Sequence, residues 1–229
     1  MNKVWYLSQI NLLEELPMED LQMIDAMAPM STVKRGTMII TPEQNNNNLY
    51  LLKQGKVRLY KMNEEGKQLT LGLLGKGNIF GETETFSTGS GSAYVEAMDD
   101  ALVCILGKQD FENLLTKRPQ VALKLVNILT QRLRESEEML ENLAFRDVRY
   151  RLLYLLVKLA KRFGETQSDS GPFLKLDLTL SHQELANMIG ATRESVSVAL
   201  SQLSKEDIVR TGRKEIALDI EKAELLLEE

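Results

Sequence analysis

Arg193 and Glu194, with Ser197 one turn further on, are the residues of this chain best suited to reading another molecule's polar edges. A guanidinium fork matches the O6 and N7 acceptors of guanine, and a carboxylate can accept from the cytosine amino group. Such chemistry needs a rigid carrier. Ser181 followed three positions later by Glu184 is the pattern of a capping box, so a helix should start there, and Gly190 ends it. Thr192 can cap a second helix that buries Val196, Leu200 and Leu203 at steps of four and three. Small residues at Ala186 and Gly190 allow the two helices to approach closely.

The arrangement predicts a helix-turn-helix, with Arg193, Glu194 and Ser197 exposed at the start of the second helix, where such motifs meet base edges in the major groove. Thr192, His182 and Gln183 lie near enough in sequence to join a DNA contact. For His182, a phosphate contact and a plain exposed turn both remain open. A helical hairpin that only packs a core is the alternative, and two adjacent opposite charges followed by a hydroxyl argue against it.

The elements around this segment fit the same reading. Ile208-Val209 and Glu215-Ile-Ala-Leu218 flank Thr211-Gly-Arg-Lys214, a hairpin whose basic tip, Arg213 and Lys214, would sit near a phosphate as a wing. Asp147 should cap a helix with the apolar stripe Leu152, Leu153, Leu156, Leu159 and Ala160. Glu165 to Pro172 reads as a polar loop, and Phe173-Leu-Lys-Leu-Asp-Leu178 as a strand. Net charge is −5 over 229 residues, unusual for a nucleic-acid partner, but its distribution matters. Residues 146–219 carry 12 basic against 10 acidic side chains, so a local basic surface would bind and would weaken with salt.

Upstream, Ala122, Val126, Leu129, Leu133, Ser136, Leu140 and Leu143 recur at alternating steps of four and three, a heptad seam with one polar member. Such a seam predicts a homodimeric coiled coil. An amphipathic helix lying on its own β domain is the other reading. A two-fold dimer would present two recognition helices to successive turns of one DNA face. Residues 30–107 are punctuated by glycines with short apolar runs between them, which predicts a β-rich domain. Val57 and Leu59 alternate with Lys56, Arg58 and Lys61, Asn63 to Gly66 turns the chain, and Leu69, Leu71 and Leu73 alternate again. Several such strands form a sandwich or jelly roll. The Asn45–Asn48 run reads as a solvated turn.

One cysteine and one histidine exclude an intrachain disulfide and a four-ligand zinc or iron–sulfur site made by one chain. Cys104, within Ala-Leu-Val-Cys-Ile-Leu, reads as a buried strand thiol. No apolar run approaches a membrane span and no secretory pattern opens the chain, so a cytoplasmic protein is expected. No His-Glu-x-x-His, phosphate-loop lysine motif or Ser/His/Asp set is present, and catalysis is not expected.

In this order, a glycine-punctuated β domain, a dimer helix and a winged helix-turn-helix, the chain resembles the cyclic-AMP receptor protein and fumarate–nitrate reductase regulator (CRP/FNR) family of bacterial transcription regulators. The segments that carry the resemblance are Gly55-Lys-Val, Glu64-Glu-Gly-Lys, Gly77-Asn-Ile-Phe-Gly-Glu82, Asn142-Leu-Ala-Phe-Arg-Asp147 and Gly190-Ala-Thr-Arg-Glu194. The resemblance implies an α+β fold: a jelly-roll-like β-roll of the cyclic nucleotide-binding type over residues 1–118, a dimerisation helix over 119–145, and a winged helix-turn-helix over 146–229.

It also implies an effector cassette at Gly81, Glu82, Ser92 and Ala93, with Ser136 reaching in from the helix. Two departures weigh against cyclic AMP. The arginine that would neutralise its phosphate aligns with Gly91, and the second residue of the adenine-binding pair aligns with Glu137. The family's haem and iron–sulfur sensing branches lack their ligands here, so no cofactor is expected; either a different small effector acts or none does. Val198 stands where the family carries a second base-reading arginine. The expected function is a homodimeric, sequence-specific regulator of double-stranded DNA with a palindromic operator, and RNA polymerase as a further partner. A signal would act by shifting the helix pair around Ser136 and the hinge near Phe145. A ligand-binding module whose helix-turn-helix serves protein contact is the alternative.

Overall fold

In the computed structural model the described residues are 7–43, 47–83, 86–88, 92–166, 172–212 and 215–228. The chain forms two compact units, Met1–Glu135 and Ser136–Glu229.

The first unit opens with helix α1 (Met18–Met27) and continues through nine strands: β1 (Met30–Val33), β2 (Met38–Ile40), β3 (Asn48–Gln54), β4 (Val57–Met62), β5 (Gln68–Leu74), β6 (Ile79–Thr83), β7 (Phe86–Ser87), β8 (Tyr94–Ala97) and β9 (Ala101–Gly107). Two antiparallel sheets result, one in the order β1-β9-β3-β6-β7 and the other β2-β8-β4-β5. Alternation along β3 explains why it lies central. Tyr50 and Leu52 join Ile40, Val57, Leu59, Phe80, Val95 and Val103 in one core, which draws on both sheets. Leu49 and Leu51 point the other way, into a second core with Ile79, Cys104 and Leu106. That second core is covered by Leu7, Ile10 and Leu13, by Ile24 of α1, by Phe111 and Leu114 of α2 (Lys108–Lys117), and by Val121 and Leu125 of α3 (Pro119–Phe145). The Cys104 thiol is fully buried there, packing as a small hydrophobe.

The β4–β5 hairpin is as expected, turned by Asn63, whose side chain accepts from the Lys67 amide at 2.8 Å. Its alternation is not. Leu59 pairs with Gly72 and Tyr60 with Thr70, so Leu71 is the extra residue of a β-bulge and is 41% exposed rather than inward-facing. Arg58 also departs from the exposed position that alternation assigned it. It is buried, pairs with Glu96 at 2.9 Å and stacks over the Tyr60 ring at 4.3 Å. Asn48 opens β3, while Asn45 and Asn46 lie outside the described residues.

Gly81 is required by its surroundings. Its φ is +100°, and a Cβ there would stand 2.4 Å from the Asn48 carbonyl oxygen across the β3–β6 pairing. We expect Gly81→Ala to lower stability by more than the about 1–3 kcal/mol of the backbone region alone, because the clash is with backbone that cannot swing away. Thermal unfolding of the variant beside the parent checks this.

One stripe of α3 is taken up by the β domain. Val121 and Leu125 are buried in the second core with Ile128 packed beside them, so one face lies on the chain's own β domain. Lys124 adds ion pairs to Glu14 at 2.9 Å and Glu15 at 3.0 Å. The neighbouring seam is left open: Val126, Leu133 and Leu140 are 57%, 60% and 67% exposed. The helix therefore lies on its own β domain along one stripe and leaves a second apolar stripe exposed.

The second unit holds α4 (Val148–Phe163), β10 (Gly164–Thr166), β11 (Phe173–Leu176), α5 (His182–Ile189), α6 (Arg193–Lys205), β12 (Val209–Thr211), β13 (Ile216–Asp219) and α7 (Ile220–Glu228). Asp147 caps α4, its carboxylate accepting from the Tyr150 amide at 2.7 Å. The stripe Leu152, Leu153, Leu156, Leu159 and Ala160 is buried, and α4 packs on α5, α6 and α7. Glu165 and Thr166 are not loop as expected. They belong to β10, which pairs with β11 and widens the wing hairpin into a four-stranded sheet, β10-β11-β13-β12. Among the described residues, no helix is long and apolar enough to cross a membrane.

Candidate nucleic-acid interface

Ser181 and Glu184 form the capping box: the Glu184 amide donates to Ser181 Oγ at 3.2 Å, and the Ser181 amide to Glu184 Oε2 at 2.6 Å. Gly190 closes α5 in the left-handed region, φ +62°, and a Cβ there would meet Leu143 Cδ2 at 2.9 Å. The left-handed turn is what calls for glycine, since the Leu143 methyl is the flexible end of a side chain. Thr192 caps α6, accepting from the Ser195 amide at 3.2 Å.

Val196, Ala199, Leu200 and Leu203 bury one face of α6. Arg193, Glu194 and Val198 are left exposed on the other, and among the described residues no ion pair or hydrogen bond engages the Arg193 or Glu194 side chain. Two opposite charges in one turn, neither neutralised by another described residue, are placed to meet a ligand. Ser197 is different from its expected exposed position. It is half-buried, and its hydroxyl donates to the Arg193 carbonyl at 2.9 Å. That uses the hydroxyl's single proton, so the His182 Nδ1, 2.7 Å away, is the donor of the second bond. His182 and Ser197 therefore tie the start of α5 to the first turn of α6 and hold Arg193 in place.

A groove of about 470 Å³ runs past this junction, lined by His182, Gln183 and Arg193 on one side and Thr211, Gly212 and Glu215 of the wing on the other. Gln183 is exposed and donates to Asn187 at 2.9 Å. The wing turn is closed by the Gly212 amide on the Glu215 carbonyl at 2.8 Å, and Glu215 pairs with Lys175 at 2.7 Å. Arg213 and Lys214 lie outside the described residues.

In the β domain, Gly81 and Glu82 lie within β6, and Glu82 Oε2 accepts from Ser87 Oγ at 3.0 Å. Thr88 is buried, its hydroxyl donating to the Gly81 carbonyl at 2.6 Å. Arg132 of α3 donates to the Thr88 carbonyl at 2.8 Å and to that of Ile79. This guanidinium, which the sequence did not single out, fastens the cassette to the helix. Ala93 is fully buried and Ser92 exposed, while Gly91 lies outside the described residues. Ser136 is exposed and belongs to the second unit.

Within that unit α3 is joined to α4 by Glu138, which accepts from Lys158 at 2.6 Å and Tyr154 at 2.7 Å. These bonds, Lys158 first, hold the Glu138 carboxyl below its ordinary range. A depressed carboxylate stabilises the fold above its unfolded-state value, and that contribution is lost as pH falls through the lower, folded one. Both side chains are around two-fifths exposed, so the contribution is about 0.2–1 kcal/mol. Glu138→Gln should lower the melting temperature slightly at neutral pH and should shrink the loss on acidification, measured by thermal scans across the acid range.

Comparison with known proteins agrees with this geometry. Residues 30–118 match the cyclic nucleotide-binding domain family, and residues 150–227 the Crp-like helix-turn-helix domain family. The cyclic AMP receptor protein of Thermus thermophilus is 37% identical over 164 residues, covering 72% of this chain and 71% of that protein. The global nitrogen regulator of Nostoc sp. is 28% identical over 191 residues, 82% of this chain and 84% of that one. A crystal structure of a CRP/FNR-family transcriptional regulator, also from Thermus thermophilus, superposes with a TM-score of 0.72 at 26% identity, covering 88% of this chain and 99% of the other. The capped helix pair, the wing and the two-sheet β domain thus sit in a known order, and the chain belongs to the CRP/FNR family of transcription regulators.

Proposed function

We propose that the chain is a homodimeric regulator that binds a palindromic operator, with Arg193 and Glu194 of α6 reading base edges in each half-site. The first turn of α6 carries the reading: two exposed, opposite charges, unpaired among the described residues, on a helix whose other face is buried. His182 and Gln183 flank the phosphate path with Thr192 close by in sequence, Arg213 and Lys214 are the sequence's candidates for contact with the DNA backbone, and Ser197 positions Arg193 through its carbonyl. Dimerisation uses the open seam Val126, Leu129, Leu133, Ser136, Leu140 and Leu143. The functional domains are 1–118 for effector sensing, 119–145 for pairing and 146–229 for DNA, and the protein works in the cytoplasm beside RNA polymerase.

The effector region is Gly81, Glu82, Ser92 and Ala93 with Ser136, and either it takes a ligand other than cyclic AMP or none acts, because Gly91 supplies no counter-charge for a cyclic phosphate. Cyclic AMP itself is the second reading, favoured by the relative named as its receptor. The deciding experiment is selection of duplexes from a randomised pool by the purified protein, with and without cyclic AMP. One palindrome enriched without ligand supports the proposal. Enrichment only with cyclic AMP supports the second reading, and no preference among duplexes in either condition points to a different required effector or, failing that, to a protein-contact role for the helix-turn-helix.

A further inference from the structure

Val198 is 59% exposed on α6. It stands four residues beyond Glu194, so it occupies the same helical face about 6 Å further along the axis. Isolated exposed valines need no explanation on an ordinary surface. This one is different because the Glu194 face is the one that enters the major groove under the proposed function, on which the present inference rests. Once α6 is seated there, whatever base edge lies opposite Val198 loses its water.

The chemistry of that edge then decides the energy. Guanine and adenine acceptors and the amino groups of cytosine and adenine would lie desolvated against two methyl groups with no partner. Thymine alone among the four bases presents an apolar group to the major groove, its C5 methyl. We propose that Val198 reads a thymine methyl, at the base pair Glu194 reaches or the one beside it, and rejects the other bases by leaving their polar edges unpaired. The half-site therefore carries an obligatory thymine selected by apolar contact rather than by a hydrogen bond.

The test uses the full-length protein and the operator it selects, with each thymine replaced in turn by deoxyuridine, which removes the methyl and nothing else. For the parent protein, one thymine per half-site should be sensitive, its replacement weakening binding about fourfold per half-site, the fold-change expected for burial of one methyl-sized group. Val198→Ala should bind the deoxyuridine and thymidine operators alike. In the parent, replacing that T·A pair by C·G should weaken binding, and 5-methylcytosine should recover part of the loss. Because Val198 is exposed, the variant keeps its fold, checked by an unchanged melting temperature. A deoxyuridine loss of equal size in Val198→Ala, or no sensitive thymine at all, overturns the inference while leaving sequence-specific binding intact. A protein that enriches no duplex overturns the proposed function first and this inference with it.

Discussion

Arg193→Ala is expected to weaken operator binding by about 2–6 kcal/mol, the sum of two half-site contacts at roughly 1–3 kcal/mol each, while the dimer persists. Even the lower bound is a loss of roughly thirtyfold in affinity. The expectation follows from position. Arg193 is exposed in the first turn of α6, its side chain carries no ion pair among the described residues, and its backbone carbonyl rather than its guanidinium is what Ser197 holds. Truncation therefore removes a recognising group without removing a packing one, and the melting temperature should not move. Titrating specific and random duplexes, with the sedimentation profile recorded beside them, reads both quantities. Loss of specific binding alone supports base reading by Arg193; loss of the dimer as well removes that assignment.

Under the proposed pairing along α3, Leu133→Glu should convert the dimer to monomers. Leu133 is 60% exposed in the single chain, so the substitution costs the folded protomer little. In a two-fold pair it would remove two buried leucines, about 3–6 kcal/mol in all at roughly 1.5–3 each, and would set two carboxylates against an apolar seam. Leu125→Ala is the control, because Leu125 is 4% exposed within the protomer's own core. It should lower the melting temperature and leave the assembly unchanged. Sedimentation of both variants distinguishes the two faces of α3, and a Leu133→Glu protein that stays dimeric would place the interface elsewhere.

How far sequence carried depended on the range of the interactions involved. The helix-turn-helix was legible residue by residue because its determinants are local. A serine and glutamate three apart, a glycine at a left-handed turn and a threonine cap each act within one helical turn, and all appear as expected. The Asp147 cap and the buried stripe of α4 were legible for the same reason. The β domain was legible as a class and not in its details. Period-two alternation cannot show a bulge, since the residue inserted at Leu71 reveals itself only against its partner strand. Nor can it show that Arg58 is buried, because the Glu96 that neutralises it lies 38 residues away. β10 was missed because Gly164–Thr166 has no apolar pattern; its strand character comes from the edge of β11.

The heptad shows the division most plainly. The apolar seam of α3 and the joint presentation of Arg193 and Glu194 on α6 could be read from consecutive residues, since spacing and caps are local properties, and the resemblance to CRP/FNR regulators supplied the order of the domains. Tertiary structure alone decided which stripe of α3 the β domain covers, which stripe remains open, and that Ser197 and His182 brace Arg193. Those outcomes depend on which distant surfaces meet, and burial is a property of both partners that neither segment encodes alone.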